Sequence, residues 1–418
     1  MQTATFGAVG DIVLSGAAAN QIQRRGAAWP FQEVLPILRR ADVLFGNLES
    51  VVLPPGFPSG QLDSHAMASK FDGTLALVEA GFHVLNLANN HILDGGTSGM
   101  FHTRDLLEAR GIIAAGIGLN QIEARRLRVL ERSGLRWGFL CYAEDSNYTL
   151  STNGPCHAYY EPTVILEDIA RARSQVDVLV VSIHADLEFV DTPSPRRREV
   201  FRKFAHAGAT LVLGHHPHVP QGVEQVGASL VAYSLGNFVS RAHTSAYLRA
   251  HLPNTARTFV LLVDVSRQGV HDFERVPVQI DPPPRERPRA EDGASAQALS
   301  AYFNELDRMI SDDAVIAANW RAAAVQKLIA TLRHAGERAE PQDALHLIGE
   351  LLHVAENRAW IDEVEAAAAE IWTTQRSHVD LHHRPSFASS QLRRPKLRIV
   401  PRVIRRLRRI LSEGWRNR

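Results

Sequence analysis

The chain has 418 residues, of which 45% are hydrophobic, and it is therefore long enough to bury the cores of about two domains. A formal net charge of +1 gives no reason to expect a nucleic-acid partner. Its two cysteines, Cys141 and Cys156, exclude a disulfide framework and a thiolate zinc site, and we expect two buried free thiols rather than one bridge. The first residues have no signal-peptide pattern, and no apolar run approaches the ~18 residues that span a bilayer, which predicts a soluble, cytoplasmic protein.

Eight predicted strands organise the first part of the chain. Short β-branched runs alternate there with helical stretches, which is the pattern of βα units in a layered α/β domain. In chain order the predicted strands cover residues 4–9, 43–45, 83–87, 137–142, 176–183, 210–213, 230–234 and 259–265. We therefore predict that residues 1–280 form one α/β domain.

The composition changes after this domain. Residues 281–294 are rich in Pro, Arg and Glu, which predicts a linker. Residues 295–378 are dominated by Ala, Leu, Glu and Arg without β-branched runs, which predicts a helical region. Residues 379–418 combine an irregular segment with a basic tail.

The basic tail, residues 393–418, contains eleven Lys and Arg residues and one acidic residue. Its apolar residues recur at near-helical spacing, so the tail is able to lie on an anionic membrane surface, which would make the protein peripheral to the membrane. A solvated tail, or a helix docked on the chain's own domain, is the more ordinary interpretation of such a segment.

Six predicted strands lead into side chains that are able to bind a metal. In chain order these side chains are Asp11; Asn47 and Glu49; Asn89, Asn90 and His91, with Asp94 beyond; His184 and Glu188; His215, His216 and His218; and Asn237. Because ligands bind beyond the carboxyl ends of strands in open α/β sheets, we expect these groups to converge. Each group alone has an ordinary explanation as a cap, a turn or a hydrogen-bonded core histidine. Six together favour one site, and its oxygen and imidazole donors suit Zn, Mn or Fe.

The same motifs, in the same order, resemble the poly-gamma-glutamate capsule biosynthesis protein CapA family, a branch of the calcineurin-like metallophosphatases. The matching segments are Gly10-Asp11, Asn47-Leu48-Glu49, Asn89-Asn90-His91 with Asp94, His184 with Glu188, Gly214-His215-His216-Pro217-His218-Val219 with Gln221, and Ser234-Leu235-Gly236-Asn237-Phe238. The resemblance covers roughly residues 4–265. It implies a two-sheet, metallophosphatase-like α/β/β/α sandwich, followed here by the helical C-terminal region.

The resemblance also implies a role for each matching residue. The implied metal ligands are Asp11, Glu49, Asn90, His184, His216 and His218, with Glu49 in the place of a bridging carboxylate. The implied catalytic residues are His91, which would contact the leaving group, Asp94 and Glu188. Asn47, Asn89, His215 and Asn237 would contact the substrate or support the ligands. The family usually has Trp-Gly after the histidine at 184, whereas this chain has Ala185-Asp186, and many members carry an N-terminal membrane anchor that this chain lacks at its start.

The implied function is that of a metal-dependent hydrolase, phosphoesterase-like and related to capsule or poly-gamma-glutamate biosynthesis. The implied cofactor is a pair of divalent ions, Mn, Zn or Fe. In the implied mechanism, water activated by these ions would be the nucleophile, and His91 would protonate the leaving group or stabilise its charge. The expected partners are a phosphoester or anionic polymer substrate and capsule-synthesis proteins. Two alternatives remain open: a metal-dependent amide hydrolase acting on gamma-glutamyl linkages, and a non-catalytic assembly subunit of a capsule-synthesis complex.

Overall fold

The computed structural model describes residues 2–337 except 59, 61, 63–64 and 145–153. All of these residues belong to one compact unit, Met1–Ala367. The predicted basic tail and the end of the predicted helical region lie outside the described residues. Among the helices in the described ranges, none has the length and hydrophobicity needed to cross a membrane.

Strands dominate the first 290 residues, and helices are interspersed among them. The strands are β1 (Ala4–Ile12), β2 (Val43–Leu48), β3 (Val51–Val52), β4 (Ala68–Ser69), β5 (Val84–Asn86), β6 (Ile113–Ala115), β7 (Ile117–Gly118), β8 (Arg128–Arg132), β9 (Leu135–Ala143), β10 (Cys156–His157), β11 (Val178–His184), β12 (Leu211–His215), β13 (Val223–Val226), β14 (Ser229–Ala232), β15 (Asn237–Val239), β16 (Arg257–Ser266), β17 (Gly269–Ile280) and β18 (Pro288–Ala290). The helices are α1 (Ala17–Arg25), α2 (Leu35–Leu38), α3 (Leu75–Ala80), α4 (Gly96–Ala109), α5 (Gln121–Ala124), α6 (Pro162–Ala172), α7 (Pro195–Ala207), α8 (Ala246–Arg249), α9 (Gly293–Ile310) and α10 (Asp313–Glu337), and a 3-10 turn covers Asn254–Ala256.

Two large sheets organise these strands. The first has the order β18-β17-β16-β1-β2-β5-β6, and β15 pairs with the last residues of β1. The second has the order β13-β14-β12-β11-β9-β8. Within the first sheet β1, β2, β5 and β6 are parallel, and within the second β9, β11, β12 and β14 are parallel. Parallel strands place their carboxyl ends at one edge, and both sheets have such an edge.

The inner faces of the two sheets pack on each other through aromatic side chains. Phe6 stacks on Trp137 with ring centroids 5.8 Å apart, and Phe45 stacks on Phe139 at 6.0 Å. Successive strand residues point to opposite faces of a sheet. Leu140 and Tyr142 of β9 therefore belong to a different core cluster from their neighbours Phe139 and Cys141. Cys141 and Cys156 are buried free thiols, as predicted.

Helices cover the outer face of each sheet. One outer cluster includes Ile22, Leu38, Leu77 and Leu107, from α1, α2, α3 and α4. The other includes Ile165, Ile169, Phe201 and Phe204, from α6 and α7. The architecture is therefore the predicted two-sheet α/β/β/α sandwich.

The chain after β17 continues this fold. Residues 281–294, predicted as a linker, contain β18, which pairs with β17. α9 places Leu299, Phe303 and Leu306 in the core between the sheets. Asp307 of α9 accepts a hydrogen bond from the backbone N–H of Val223, at 2.8 Å. Within the described residues α9 thus shares the core of the α/β part, and the predicted domain limits stay a prediction.

Candidate metal centre

Asn47 joins the two sheets at the edge where their parallel strands end. Its Nδ2 donates to Asp11 Oδ1 at 2.8 Å, and the same nitrogen lies 3.1 Å from Nδ1 of His184, the last residue of β11. Asn89 Nδ2 lies 3.4 Å from Asn47 Oδ1, and this contact fixes which end of the Asn47 amide faces Asp11. The strand register explains why Asp11 and Asn47 lie side by side, because Asp11 of β1 pairs with Asn47 of β2.

Glu49 lies directly after β2 and is buried, with 1% of its surface exposed. Its Oε1 is 3.4 Å from His184 Nε2, yet neither carboxylate oxygen accepts a hydrogen bond from any residue that the structure describes. An unsatisfied buried carboxylate is costly unless another group compensates its charge. Glu49 therefore has the free oxygens that a bound cation requires.

Two donor groups around Glu49 have the geometry of metal sites. One group consists of Glu49, His184 and His216, and the other of Asp11, Glu49 and His218, with ligand atoms within 4.8 Å of one another in each. Glu49 belongs to both groups. Oxygen and imidazole donors without thiolate are the set that suits divalent Zn, Mn or Fe. The residues present thus fit a divalent metal, and the Glu49 carboxylate is common to both groups.

His216 and His218 reach the centre through a strained turn after β12. Their φ angles are 95° and 58°, and the left-handed region is unfavourable for residues other than glycine. The turn places His216 Nδ1 3.2 Å from His184 Nε2 and lets the backbone N–H of His216 donate to Asp11 Oδ2 at 3.3 Å. On the other side, His218 Nδ1 lies 3.0 Å from Asn237 Oδ1 and 3.6 Å from Asp11 Oδ2.

The segment after β5 brings Asn90 and His91 to the same place. His184 Nε2 lies 2.8 Å from Asn90 Oδ1, so Asn90 adjoins the donor group that includes His184. His91 Nδ1 lies 2.8 Å from Asp94 Oδ2, and Asp94 Oδ2 also accepts the backbone N–H of Met67. Asp94 thus engages Nδ1 of His91, and Nε2 is the other nitrogen of this ring.

Glu188 and its neighbours form the outer side of the centre. Glu188 Oε1 lies 3.7 Å from His218 Nε2, and the other carboxylate oxygen accepts the Tyr247 hydroxyl. Asp186 stands where the resembling family usually has glycine, and its φ of 96° is one that favours glycine. Asp186 Oδ2 accepts the Ser194 backbone N–H at 3.0 Å, which holds this loop to the start of α7.

His215 and Asn237 complete the set of residues predicted from the sequence. His215 Nδ1 lies 3.2 Å from Asp11 Oδ1, within ion-pair distance but outside hydrogen-bond geometry. Asn237 pairs with Asp11 across β15 and β1, and its Nδ2 donates to the carbonyls of His218 and Thr255, each at 3.0 Å. All of the predicted residues lie at this edge, and Asn237 holds the turn that carries His218.

Burial and neighbouring charges shift the pKa values of Asp11 and Glu49 in opposite directions. Burial acts to raise the pKa of Asp11, but contacts with His215 and His218 outweigh it and hold that pKa well below its usual range. Burial, together with the charge of Asp11, raises the pKa of Glu49 to about 7. Near neutral pH, Asp11 is thus ionised while Glu49 titrates.

Burial and neighbouring charges also shift the pKa values of the histidines. Burial lowers the pKa of His184 and of His216 well below the usual value, so both imidazoles are neutral and free to bind a metal. Burial also acts to lower the pKa of His218, but the charges of Glu49 and Asp11 raise it to about 10. The cluster without metal thus carries protons that a cation would replace.

Sequence analysis did not find Tyr247 and Phe189. Tyr247 lies on α8, and its hydroxyl donates to Glu188. Phe189 stacks on His251 with ring centroids 3.9 Å apart and meets Tyr247 edge-on at 4.9 Å. No strand ends at these aromatic residues, so the pattern that revealed the donors gave no signal for them.

Fold and site together define a two-sheet α/β/β/α sandwich protein with a candidate divalent-metal centre. The family model of the bacterial capsule synthesis protein PGA_cap matches residues 5–242, more than half of the chain, and the chain belongs to this family. It is 29% identical over 284 residues to the PGA biosynthesis protein CapA of Bacillus subtilis (strain 168), covering 65% of this chain and 73% of that protein. It is also 29% identical over 278 residues to the capsule biosynthesis protein CapA of Bacillus anthracis, covering 63% and 67%. Among solved structures, a 5'-nucleotidase precursor from Thermus thermophilus aligns with a TM-score of 0.41 and 11% identity, over 72% of this chain and 58% of that one.

Proposed function

We propose that the protein is a metal-dependent phosphoesterase that serves capsule polymer synthesis. The observation that carries the proposal is Glu49, which belongs to both donor groups and whose two buried oxygens accept no hydrogen bond from the described residues. A carboxylate placed in this way is suited to bridge two cations. Two ions ~3.5–4 Å apart are the arrangement with which many phosphatases hold the attacking and leaving oxygens of a displacement.

Each of the two ions would have its own set of protein ligands. Asp11, Glu49 and His218 would hold one ion, and Glu49, His184 and His216 the other, with Asn90 beside the second group. When bound, such ions supply Lewis-acid activation and make water acidic enough to react near neutral pH.

In this proposal His91 would supply a proton to the leaving group. Burial acts to lower the pKa of His91, but the hydrogen bond to Asp94 and the charge of Glu49 raise it above the usual value. Asp94 holds Nδ1 at 2.8 Å, so the proton available for transfer is the one on Nε2. The Met67 N–H that also binds Asp94 Oδ2 keeps this carboxylate turned towards His91.

The test separates metal binding from proton transfer with two histidine variants. We expect His216→Ala to lose metal, because it removes one ligand of three in its group. We expect His91→Ala to keep its metal and to lose ~10²–10⁴-fold in turnover of a phosphodiester such as bis-p-nitrophenyl phosphate. His206→Ala, which removes an exposed histidine of α7, is the matched control. A metal-free His91→Ala protein, or full metal and activity in His216→Ala, contradicts the assignment.

A second substrate class follows from the relatives that are named for poly-gamma-glutamate or capsule biosynthesis. Such a polymer has amide links, and water activated at this centre is able to attack a carbonyl carbon as well as phosphorus. Parallel assays with a phosphodiester and with a gamma-glutamyl anilide distinguish the two chemistries. A metal-loaded protein that is inert towards both substrates points instead to a non-catalytic subunit that works with capsule-synthesis proteins.

A further inference from the structure

Residues 240–256, here called the rim segment, connect β15 to β16 and carry α8. Thr255 fixes the base of this segment, because its carbonyl accepts Asn237 Nδ2 at 3.0 Å and its hydroxyl donates to the Leu248 carbonyl at 2.9 Å. Leu248 is buried, whereas Tyr247 beside it is 53% exposed. The rim segment therefore has a fixed base and presents Tyr247 at the edge of the candidate metal centre.

Tyr247 reaches the centre through Glu188. Its hydroxyl donates to one oxygen of Glu188, and the other oxygen lies 3.7 Å from Nε2 of His218. The three side chains thus form a line from the rim segment to a residue of the Asp11–Glu49–His218 donor group. Fixing one oxygen of a carboxylate restricts the direction of the other, so the Tyr247 hydroxyl contributes to the orientation of Glu188 towards His218.

The loop that carries Glu188 is fixed from the other side as well. The backbone N–H of Phe189 donates to the Pro217 carbonyl at 2.8 Å, which ties this loop to the turn between His216 and His218. Phe189 has a φ of 65°, and its ring stacks on His251 of the rim segment. A strained backbone that its surroundings hold in place is typical of residues that organise a site.

We propose that Tyr247 is a positioning residue that orients Glu188 towards His218 and thereby strengthens metal binding in the Asp11–Glu49–His218 group. This inference rests on the proposed metal-dependent function. Tyr247 lies beyond residues 5–242, so the part of the chain that matches the family does not contain it. Removing a partner of a metal ligand typically changes metal affinity or activity ~10–100-fold, and Tyr247 acts through such a partner, Glu188.

The test uses Tyr247→Phe in the full chain, because this change removes only the hydroxyl and keeps the ring against Phe189. Titration with Mn²⁺ against a competing chelator measures both sites independently of activity. We expect one of two Mn²⁺ sites to weaken ~10–100-fold while the other is unchanged. Glu188→Gln should weaken the same site, and the double variant should be no weaker than Glu188→Gln alone, because both changes break one line of contacts.

Arg249→Ala is the control, since Arg249 is an exposed residue of the same helix. We expect it to bind Mn²⁺ like the parent protein and to unfold at the same temperature as Tyr247→Phe without metal. Unchanged Mn²⁺ affinity in Tyr247→Phe overturns the positioning role while the proposed function stands. Equal weakening of both sites, or a lower unfolding temperature without metal, also overturns it, because either result indicates a general structural role. A parent protein that binds no Mn²⁺, Zn²⁺ or Fe²⁺ overturns both proposals.

Discussion

Two glycines stand directly before Asp11 and His215, and each lies against a backbone carbonyl. A Cβ on Gly10 would lie 1.9 Å from the Gly236 oxygen, and a Cβ on Gly214 would lie 1.8 Å from the Tyr233 oxygen. Real atoms do not approach so closely, so only glycine fits at either position. The absence of these two side chains lets neighbouring strand ends approach each other, and this approach brings the metal donors together.

Gly214→Ala should therefore lower the free energy of unfolding by ~1–3 kcal/mol or more, because a backbone carbonyl is unable to move aside as a flexible side chain does. Gly99→Ala is the matched control, since its added Cβ would meet Val51 Cγ2 at an ordinary 3.8 Å. That change should leave stability unchanged or raise it by up to ~1 kcal/mol, because alanine favours the helix. Urea denaturation measures both variants, and equal midpoints would contradict the steric argument.

At the scale of elements, each of the eight strands predicted from the sequence overlaps a strand of the structure. These strands are buried on both faces, so they appear in the sequence as continuous apolar runs. β17 was missed although it has 12 residues, because its exposed residues interrupt the apolar pattern and Pro277 lies inside it. β18 was missed for a related reason, since its three residues are recognisable as a strand only from their pairing with β17.

The helix α9 offers a direct test of how far the core extends. Phe303 is 1% exposed and meets Phe259 edge-on, with ring centroids 5.1 Å apart. Phe303→Ala should cost ~3–5 kcal/mol of unfolding free energy, the usual loss for a buried Phe. Gln297→Ala, an exposed change on the same helix, should cost less than ~0.5 kcal/mol. If thermal or urea unfolding shows equal stability for the two variants, α9 is not part of the core.

At the scale of the whole molecule, the sequence predicts the position of the site, but it does not predict which residues meet on its outer side. Strand ends are far apart in sequence, but sheet geometry brings them to one edge, so His184 and His216 could be expected to meet. No such rule brings Tyr247 to Glu188, because both lie in connecting segments whose paths depend on the finished fold. The family match likewise ends at residue 242, before β16, although β16 pairs directly with β1 in the middle of the first sheet.

Because both donor groups contain Glu49, cation binding to either group is coupled to the release of a proton. A cation in either donor group displaces the proton that Glu49 binds with a pKa of about 7, whereas the group that includes His218 must also displace a proton whose pKa is about 10. The His184 and His216 group should therefore fill first near neutral pH. Its affinity should rise about tenfold per pH unit below 7 and level off above, while that of the other group keeps rising. Calorimetry in buffers of different ionisation enthalpy counts the released protons, and binding without proton release would exclude this order.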